Sequence, residues 1–287
     1  MSTISVDKPP EELILEDPAS IKNAKFVEDA DFKLLIHGYC QWKNSVHWIT
    51  IREEYFKQKA WNLLVVDYFP NARWGCYFDT LKNSVKQIGR CIGDLLRLLF
   101  EQHPKITIDR FHFVGFSIGS QICAQVSNNL KPSGIIIPRI TGCDPAYPGF
   151  TKLEKKEKSK LNKHHAKFVD AIHSNMGHLG VRFSDAHYDI YANGGTVQPG
   201  CKLSDPRCSH NRVLEIFAET INSKVKLIAQ KCDSEDAWMS EKDCKGKHEL
   251  KIEVGEHCTP PKNDTEIGIY QFLTNETKPY VKALPGI

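Results

Sequence analysis

Apolar residues fall along this chain in two alternating rhythms. Short runs at Phe32–Ile36, 61–68, 135–140, 168–174 and 268–273, with another opening at Phe111, have the length of β-strands. The run at 61–68 is nearly continuous, as expected of a parallel strand covered on both faces, with Asp67 near its end. Between the runs, residues 79–101 carry Leu81, Val85, Ile88, Ile92, Leu95, Leu96 and Leu99 at helical spacing, which predicts a helix packed on the sheet. Residues 118–129 and an amphipathic stretch from Ser209 to Ile221 predict two more helices. Strands alternating with helices imply an α/β fold with a mostly parallel, doubly wound sheet and helices on both faces. Residues 1–31, acidic and bearing Pro9, Pro10 and Pro18, read as an irregular approach, and 32–287 as a single domain. Residues 177–195 read as loop-rich.

Composition narrows the class. With 287 residues, 41% of them hydrophobic and 25% charged, the chain can bury a sizeable core and is not disordered. A net charge of +3, without an arginine-rich or aromatic-interleaved basic motif, argues against nucleic acid as a partner. No apolar run approaches the roughly 20 residues that span a bilayer, so contact with a membrane is expected to be peripheral. Residues 152–167 hold seven lysines against two glutamates and read as a solvated loop, a patch for anionic headgroups being the alternative. The first ten residues lack the features of a signal peptide, yet ten cysteines and two Asn-x-Thr acceptors, Asn263 and Asn275, lean towards an oxidising route. A mature or N-terminally truncated secreted chain reconciles the two observations.

Candidate chemistry sits where the runs end. The run from Phe111 closes on Gly115-Phe116-Ser117-Ile118-Gly119, a Gly-x-Ser-x-Gly pattern between a strand-like and a helix-compatible segment. A sharp strand-to-helix turn there exposes Ser117 as a nucleophile, and Gly115 and Gly119 leave room for the turn. Phe32–Ile36 runs into His37-Gly38-Tyr39, so the main-chain N–H groups of Tyr39 and Ile118 are candidate donors to an oxyanion. Asp144, beyond the 135–140 strand, reads as an Asp-Pro turn or as a carboxylate that orients a histidine. His173, on the 168–174 strand, reads as a core histidine. Cys201 and Cys208 enclose six residues, which suggests a disulfide-closed loop, and His210 follows at a helix start, suited to general-base work although twelve histidines compete. Cys232 with Cys244 is the first further pairing to try. The order Ser117, Asp144, His210 is the order of an α/β-hydrolase triad, and it needs no metal or organic cofactor.

From about Leu34 to Tyr280 the chain resembles the pancreatic lipase family, especially its insect neutral lipase and venom phospholipase A1 branch. The resemblance rests on Ile36-His37-Gly38-Tyr39, the elbow pentapeptide, Thr141-Gly142-Cys143-Asp144-Pro145-Ala146, Phe168-Val169-Asp170-Ala171-Ile172-His173-Ser174, Asn193-Gly194-Gly195, Gln198-Pro199-Gly200-Cys201 and Cys208-Ser209-His210. It implies secretion, an α/β-hydrolase fold, and Ser117, Asp144 and His210 as the triad. The departures also inform. Phe116, Ile118, Ser120 and Gln121 stand where the family usually has His, Leu, Ala and His, positions that flank the chemistry. Where pancreatic members hold Ca²⁺ with carboxylates, this chain offers Lys160, Asn162 and His165, so no metal is expected there. The sequence to Ile287 leaves no room for the C-terminal β-sandwich, and colipase is not expected as a partner.

In triacylglycerol lipases of the family a lid of some twenty residues lies between two bridged cysteines, whereas Cys201 and Cys208 enclose only six residues, and the second flap, 177–188, is also short. An uncovered site implies a phospholipid substrate at a membrane or micelle surface, hydrolysed at its sn-1 ester. The alternatives are a neutral triacylglycerol or galactolipid lipase, and a non-catalytic lipid binder like the yolk-protein relatives, which lack the serine.

Overall fold

The strand-length runs become neighbours in one sheet. The computed structural model describes residues 1–4, 10–58, 60–68, 78–150, 160–232 and 250–282. The strands are β1 (Ser2–Ile4), β2 (Phe32–Ile36), β3 (Asn62–Val66), β4 (Phe111–Phe116), β5 (Arg139–Cys143), β6 (Phe168–His173), β7 (Tyr188–Ala192), β8 (Ile228–Lys231), β9 (Lys251–Glu253) and β10 (Gly268–Phe272). They lie in the order β1-β3-β2-β4-β5-β6-β7-β10-β8-β9. The seven from β3 to β10 run parallel, while β1 at one edge and β8 at the other run against them, and β9 pairs antiparallel with β8. This is an α/β-hydrolase sheet, and all its parallel C-terminal ends point to one edge.

Both faces are covered, which is why β2, β3, β4 and β7 are buried at every position. On one face α1 (Pro18–Lys22), α3 (Phe78–Gln102) and α4 (Ile118–Leu130) pack on Phe32, Leu34, Ile36, Phe111 and Phe113. On the other, α2 (Val46–Gln58) and α5 (Pro206–Asn222) pack on Leu35, Leu63, Val65, Val114 and Phe116. The alternation of these residues between the faces is the period of two of a strand. Helices α3 and α4 touch through glycines: a Cβ on Gly89 would lie 2.4 Å from Cβ of Gln125, and one on Gly93 only 2.1 Å from Oδ1 of Asn129.

Several boundaries differ from the sequence expectation. Residues 1–31 contribute β1 and α1 rather than only an irregular approach. The strand expected at 135–140 is Arg139–Cys143, because Pro138 has no N–H for a central ladder and the pairing begins after it. Within the loop-rich 177–195 lies β7, broken in pattern by Asp189, whose buried carboxylate accepts from His173 Nε2 at 2.7 Å, Ser184 N at 2.9 Å and Ala186 N at 3.0 Å. Helix α5 begins at Pro206, so His210 lies past its first turn rather than at its start. Half of the lysine-rich run, residues 152–159, lies outside the described residues. Among the described residues no helix is long and apolar enough to cross a membrane.

A ring of polar side chains is buried under α2, near the strand starts. Lys33 Nζ donates to Glu256 Oε1 at 2.5 Å and to His112 Nδ1 at 3.0 Å, and Tyr55 donates to Glu256 Oε2 at 2.6 Å. An ammonium only donates, so His112 carries its proton on Nε2 and gives it to Thr141 Oγ1 at 2.8 Å. Thr141 in turn donates to Asp170, and Arg139 grips both oxygens of Asp170 at 3.0 and 3.1 Å. Arg139 closes the ring on the carbonyls of Glu256, at 2.6 Å, and Gly255, at 2.7 Å. Burial, then Arg139 and Lys33, hold the His112 imidazole well below its usual range, so it stays neutral. Burial alone would raise the Glu256 carboxyl, but the charges of Lys33, above all, and Arg139 outweigh it and hold the group well below the carboxylate range.

Candidate active site

Ser117 stands between β4 and α4 with φ 54° and ψ −120°, a conformation that costs a side-chain-bearing residue about 1–3 kcal/mol. Main-chain bonds maintain it: Ser117 N donates to Cys143 O at 2.9 Å, and Ser117 O accepts from Ser120 N and Ala146 N, both at 3.1 Å. The flanking glycines are steric necessities. A Cβ on Gly115 would lie 2.7 Å from the main chain of Gly119, and one on Gly119 only 2.2 Å from Ile36 O. Gly119 therefore lets the start of α4 rest on the end of β2, which brings Ile118 N–H, one of the first helical N–H groups without an intrahelical partner, next to the 37–39 turn. Gln121, expected only to flank the site, donates to Ala146 O at 3.0 Å and accepts from Leu161 N at 2.8 Å, tying α4 to the loop after β5.

Asp144 and His210 meet. Asp144 follows β5 with φ 43° and is fully buried. Its Oδ1 accepts from Ser174 N at 2.8 Å and Asn175 N at 3.1 Å, and its Oδ2 faces His210 Nδ1 at 2.5 Å. A carboxylate only accepts, so His210 Nδ1 donates and its Nε2 is the nitrogen left for other chemistry. The His210 ring lies against Phe116, the neighbour of Ser117, at 4.6 Å between centroids. The loop 175–180 folds over the carboxylate so closely that a Cβ on Gly180 would lie 2.4 Å from Oδ1. Gln198 holds the other side: its Nε2 donates to Ser174 O at 3.0 Å and Ala192 O at 2.8 Å, and its N–H donates to Ser209 Oγ at 3.0 Å. Neither Gly180 nor Gln198 stands out by its type, although Gln198 opens one of the motifs that carry the resemblance.

Tyr39 lies in the turn after β2, with His37 donating from Nδ1 to Gly38 O at 2.9 Å and Tyr68 donating to His37 O at 2.7 Å. Asp67 stands beside this turn, 3.5 Å from His37 Nε2. Cys201 and Cys208 form the expected disulfide, with Leu203 exposed between them. Cys232 is also disulfide-bonded, while Cys244 lies outside the described residues. His173 is buried and hydrogen-bonded to Asp189, in keeping with a core histidine. Of the two Asn-x-Thr acceptors, Asn263 is exposed and its Oδ1 accepts from Thr265, whereas Asn275 Nδ2 donates to Pro279 O at 2.7 Å. Where pancreatic members hold Ca²⁺, the side chains of this chain are engaged with main chain: Lys160 donates to Phe183 O, Asn162 accepts from His164 N at 3.0 Å, and His165 Nδ1 accepts from Asn162 N at 3.1 Å.

The sequence matches the Lipase family over residues 6–280. The chain belongs to that family. This is the pancreatic lipase family that its motifs resemble. Among its relatives, phospholipase A1 member A of Rattus norvegicus is 30% identical over 238 residues, covering 79% of this chain and 49% of the relative. Lipase member H of Danio rerio is 29% identical over 228 residues, covering 77% of this chain and 48% of the relative. The chain thus spans about half the length of these relatives. Among solved structures, α/β-hydrolase domain-containing protein 10 from mouse is 13% identical with a TM-score of 0.33, covering 55% of this chain and 73% of that one.

Proposed function

We propose that this chain is a secreted serine ester hydrolase of lipids, with phospholipase A1 activity. The observation that carries the reading is the His210–Asp144 pair, 2.5 Å apart beside the strained elbow of Ser117. In the proposed reaction Ser117 Oγ attacks the carbonyl carbon of the sn-1 ester while His210 Nε2 takes the hydroxyl proton. The resulting oxyanion accepts from the N–H groups of Tyr39 and Ile118, each donor being worth about 3–4 kcal/mol in the transition state. His210 returns its proton to the departing glycerol oxygen as the C–O bond breaks. Water, deprotonated by the same imidazole, then attacks the acyl-enzyme and releases the fatty acid and Ser117. Asp144 holds the ring and stabilises the imidazolium throughout.

The short loop between Cys201 and Cys208 supports a phospholipid substrate, since six residues make a poor cover over a polar headgroup. The names of the relatives, phospholipase A1 and lipase, are consistent with ester hydrolysis of a lipid. A disulfide at this loop supports an oxidising destination. The test is product analysis on a phosphatidylcholine with different acyl chains at its two positions, alongside a triacylglycerol, with Ser117→Ala as control. Serine-dependent release of the sn-1 acid with little triacylglycerol turnover is expected. Dominant triacylglycerol cleavage would overturn the phospholipid preference, and no serine-dependent release from either would leave a lipid-binding role.

A further inference from the structure

One side chain ties the turn after β2 to two helices. Gln41 Oε1 accepts from Gly38 N at 3.2 Å and from the indole Nε1 of Trp48 at 2.9 Å, and Gln41 N donates back to Gly38 O at 3.3 Å. Two N–H donors at one end of the amide fix its orientation: the oxygen lies there, and Nε2 is directed at Asn211 Oδ1, 3.5 Å away. Asn211 is the residue after His210. One amide therefore joins the first turn of α2, through buried Trp48, to the 38–41 turn and to the second turn of α5.

The consequence concerns Tyr39, which lies between the two bonded partners Gly38 and Gln41. The turn also contains Cys40, which is disulfide-bonded and in the left-handed region with φ 53°, so its shape is one that surrounding contacts, Gln41 among them, must hold. The other oxyanion donor, Ile118, is fixed by α4 and the Gly119 contact, and His210 by α5. These are three separate elements. We propose that Gln41 is a positioning residue for the ester hydrolysis proposed above: it holds the Tyr39 N–H in register with the helix that carries His210. The inference rests on that reading. An oxyanion donor acts only in the transition state, so its misplacement lowers kcat and spares KM.

The test compares Gln41→Met, which keeps length and volume but neither donates nor accepts, with Asn211→Leu and Asn211→Asp. Competent sites are counted by labelling of Ser117 with a fluorophosphonate, and kcat is expressed per labelled site. Gln41→Met should lower kcat per site by about 100-fold with KM within about twofold, and should shift the emission of Trp48, whose indole loses its acceptor. Asn211→Leu should lower kcat per site less, and Asn211→Asp, which restores an oxygen for Nε2, should recover most of it. Unchanged kcat per labelled site in Gln41→Met, with only the labelled fraction or Tm reduced, would show a merely structural role and overturn the assignment. Absence of labelling in the wild type would instead overturn the hydrolase reading itself and take this assignment with it.

Discussion

Replacing Gly180 by alanine isolates one contact of the candidate triad. The Gly180 backbone is outside the left-handed region, so alanine carries no conformational penalty there, and the whole effect is steric. Its Cβ would lie 2.4 Å from Asp144 Oδ1 and 2.6 Å from Oδ2, about 1 Å short of ordinary contact, which begins at 3.4 Å. The carboxylate cannot retreat without losing bonds from Ser174 N at 2.8 Å, Asn175 N at 3.1 Å or His210 Nδ1 at 2.5 Å. The loop is held too, by Tyr147 N to Leu179 O and Val181 N to Pro145 O, both at 2.8 Å. Breaking one such bond costs about 0.5–1.5 kcal/mol, and a displacement of about 1 Å at a catalytic group can cost about 100-fold in rate. Gly180→Ala should therefore lower kcat per fluorophosphonate-labelled site by about 10- to 100-fold, with a small loss of Tm. Gly134→Ala is the control, since its φ of 74° carries strain but nothing lies within 4 Å of its Cβ. A Gly180→Ala enzyme with wild-type kcat per site would refute the idea that this carboxylate must stay where it is.

Two further predictions concern stability. Glu256→Gln leaves the Lys33 ammonium buried without its counter-ion and should cost about 3–5 kcal/mol in urea unfolding, much of it recovered in Lys33→Met/Glu256→Gln. Because the folded Glu256 carboxyl is held below its unfolded value of about 4.3, its stabilisation is complete above that pH and is lost as pH falls below it. The urea midpoint of Glu256→Gln should thus fall less steeply below about pH 5 than that of the wild type, and parallel slopes would count against the pairing. Gly89→Ala, although alanine favours helix by about 1 kcal/mol, should destabilise by about 1–3 kcal/mol because its Cβ meets Gln125 on α4. A rise in Tm instead would show that the two helices part freely.

Much of the sheet was legible because strands buried on both faces leave apolar runs in the sequence. It failed where a buried charge interrupts the run: Arg139 inside β5 is neutralised by Asp170, and Asp189 inside β7 is satisfied by His173 and two main-chain N–H groups. Helix α2 escaped notice because polar residues dilute its buried side, which is reduced to Trp48, Ile51 and Tyr55. At the site, Ser117 was readable from its glycines, and Asp144 from its place beyond a strand; His210 was readable from the neighbouring disulfide. Residue type alone does not mark Gln41, Gly180 or Gln198. Their importance depends on what folding places beside them: two N–H donors at Gln41 Oε1, a carboxylate under Gly180, and a carbonyl from each of two strand ends at Gln198 Nε2.

The buried polar ring bears on how the protein is made. Lys33 and Glu256 are 223 residues apart, and Arg139 is 117 residues from the carbonyl of Glu256 that it grips. A ribosome adding about 5–20 residues per second exposes the lysine tens of seconds before its carboxylate exists. Throughout that interval Arg139 already has Asp170 to face, but the Lys33 ammonium has no carboxylate. Ser117, Asp144 and His210 have all been synthesised by then, while the sheet that carries them still lacks the counter-ion of Lys33. Nascent chains arrested with Glu256 still inside the ribosomal exit tunnel should be more protease-sensitive than chains arrested with Glu256 outside it, so this buried pair sets when the sheet can close.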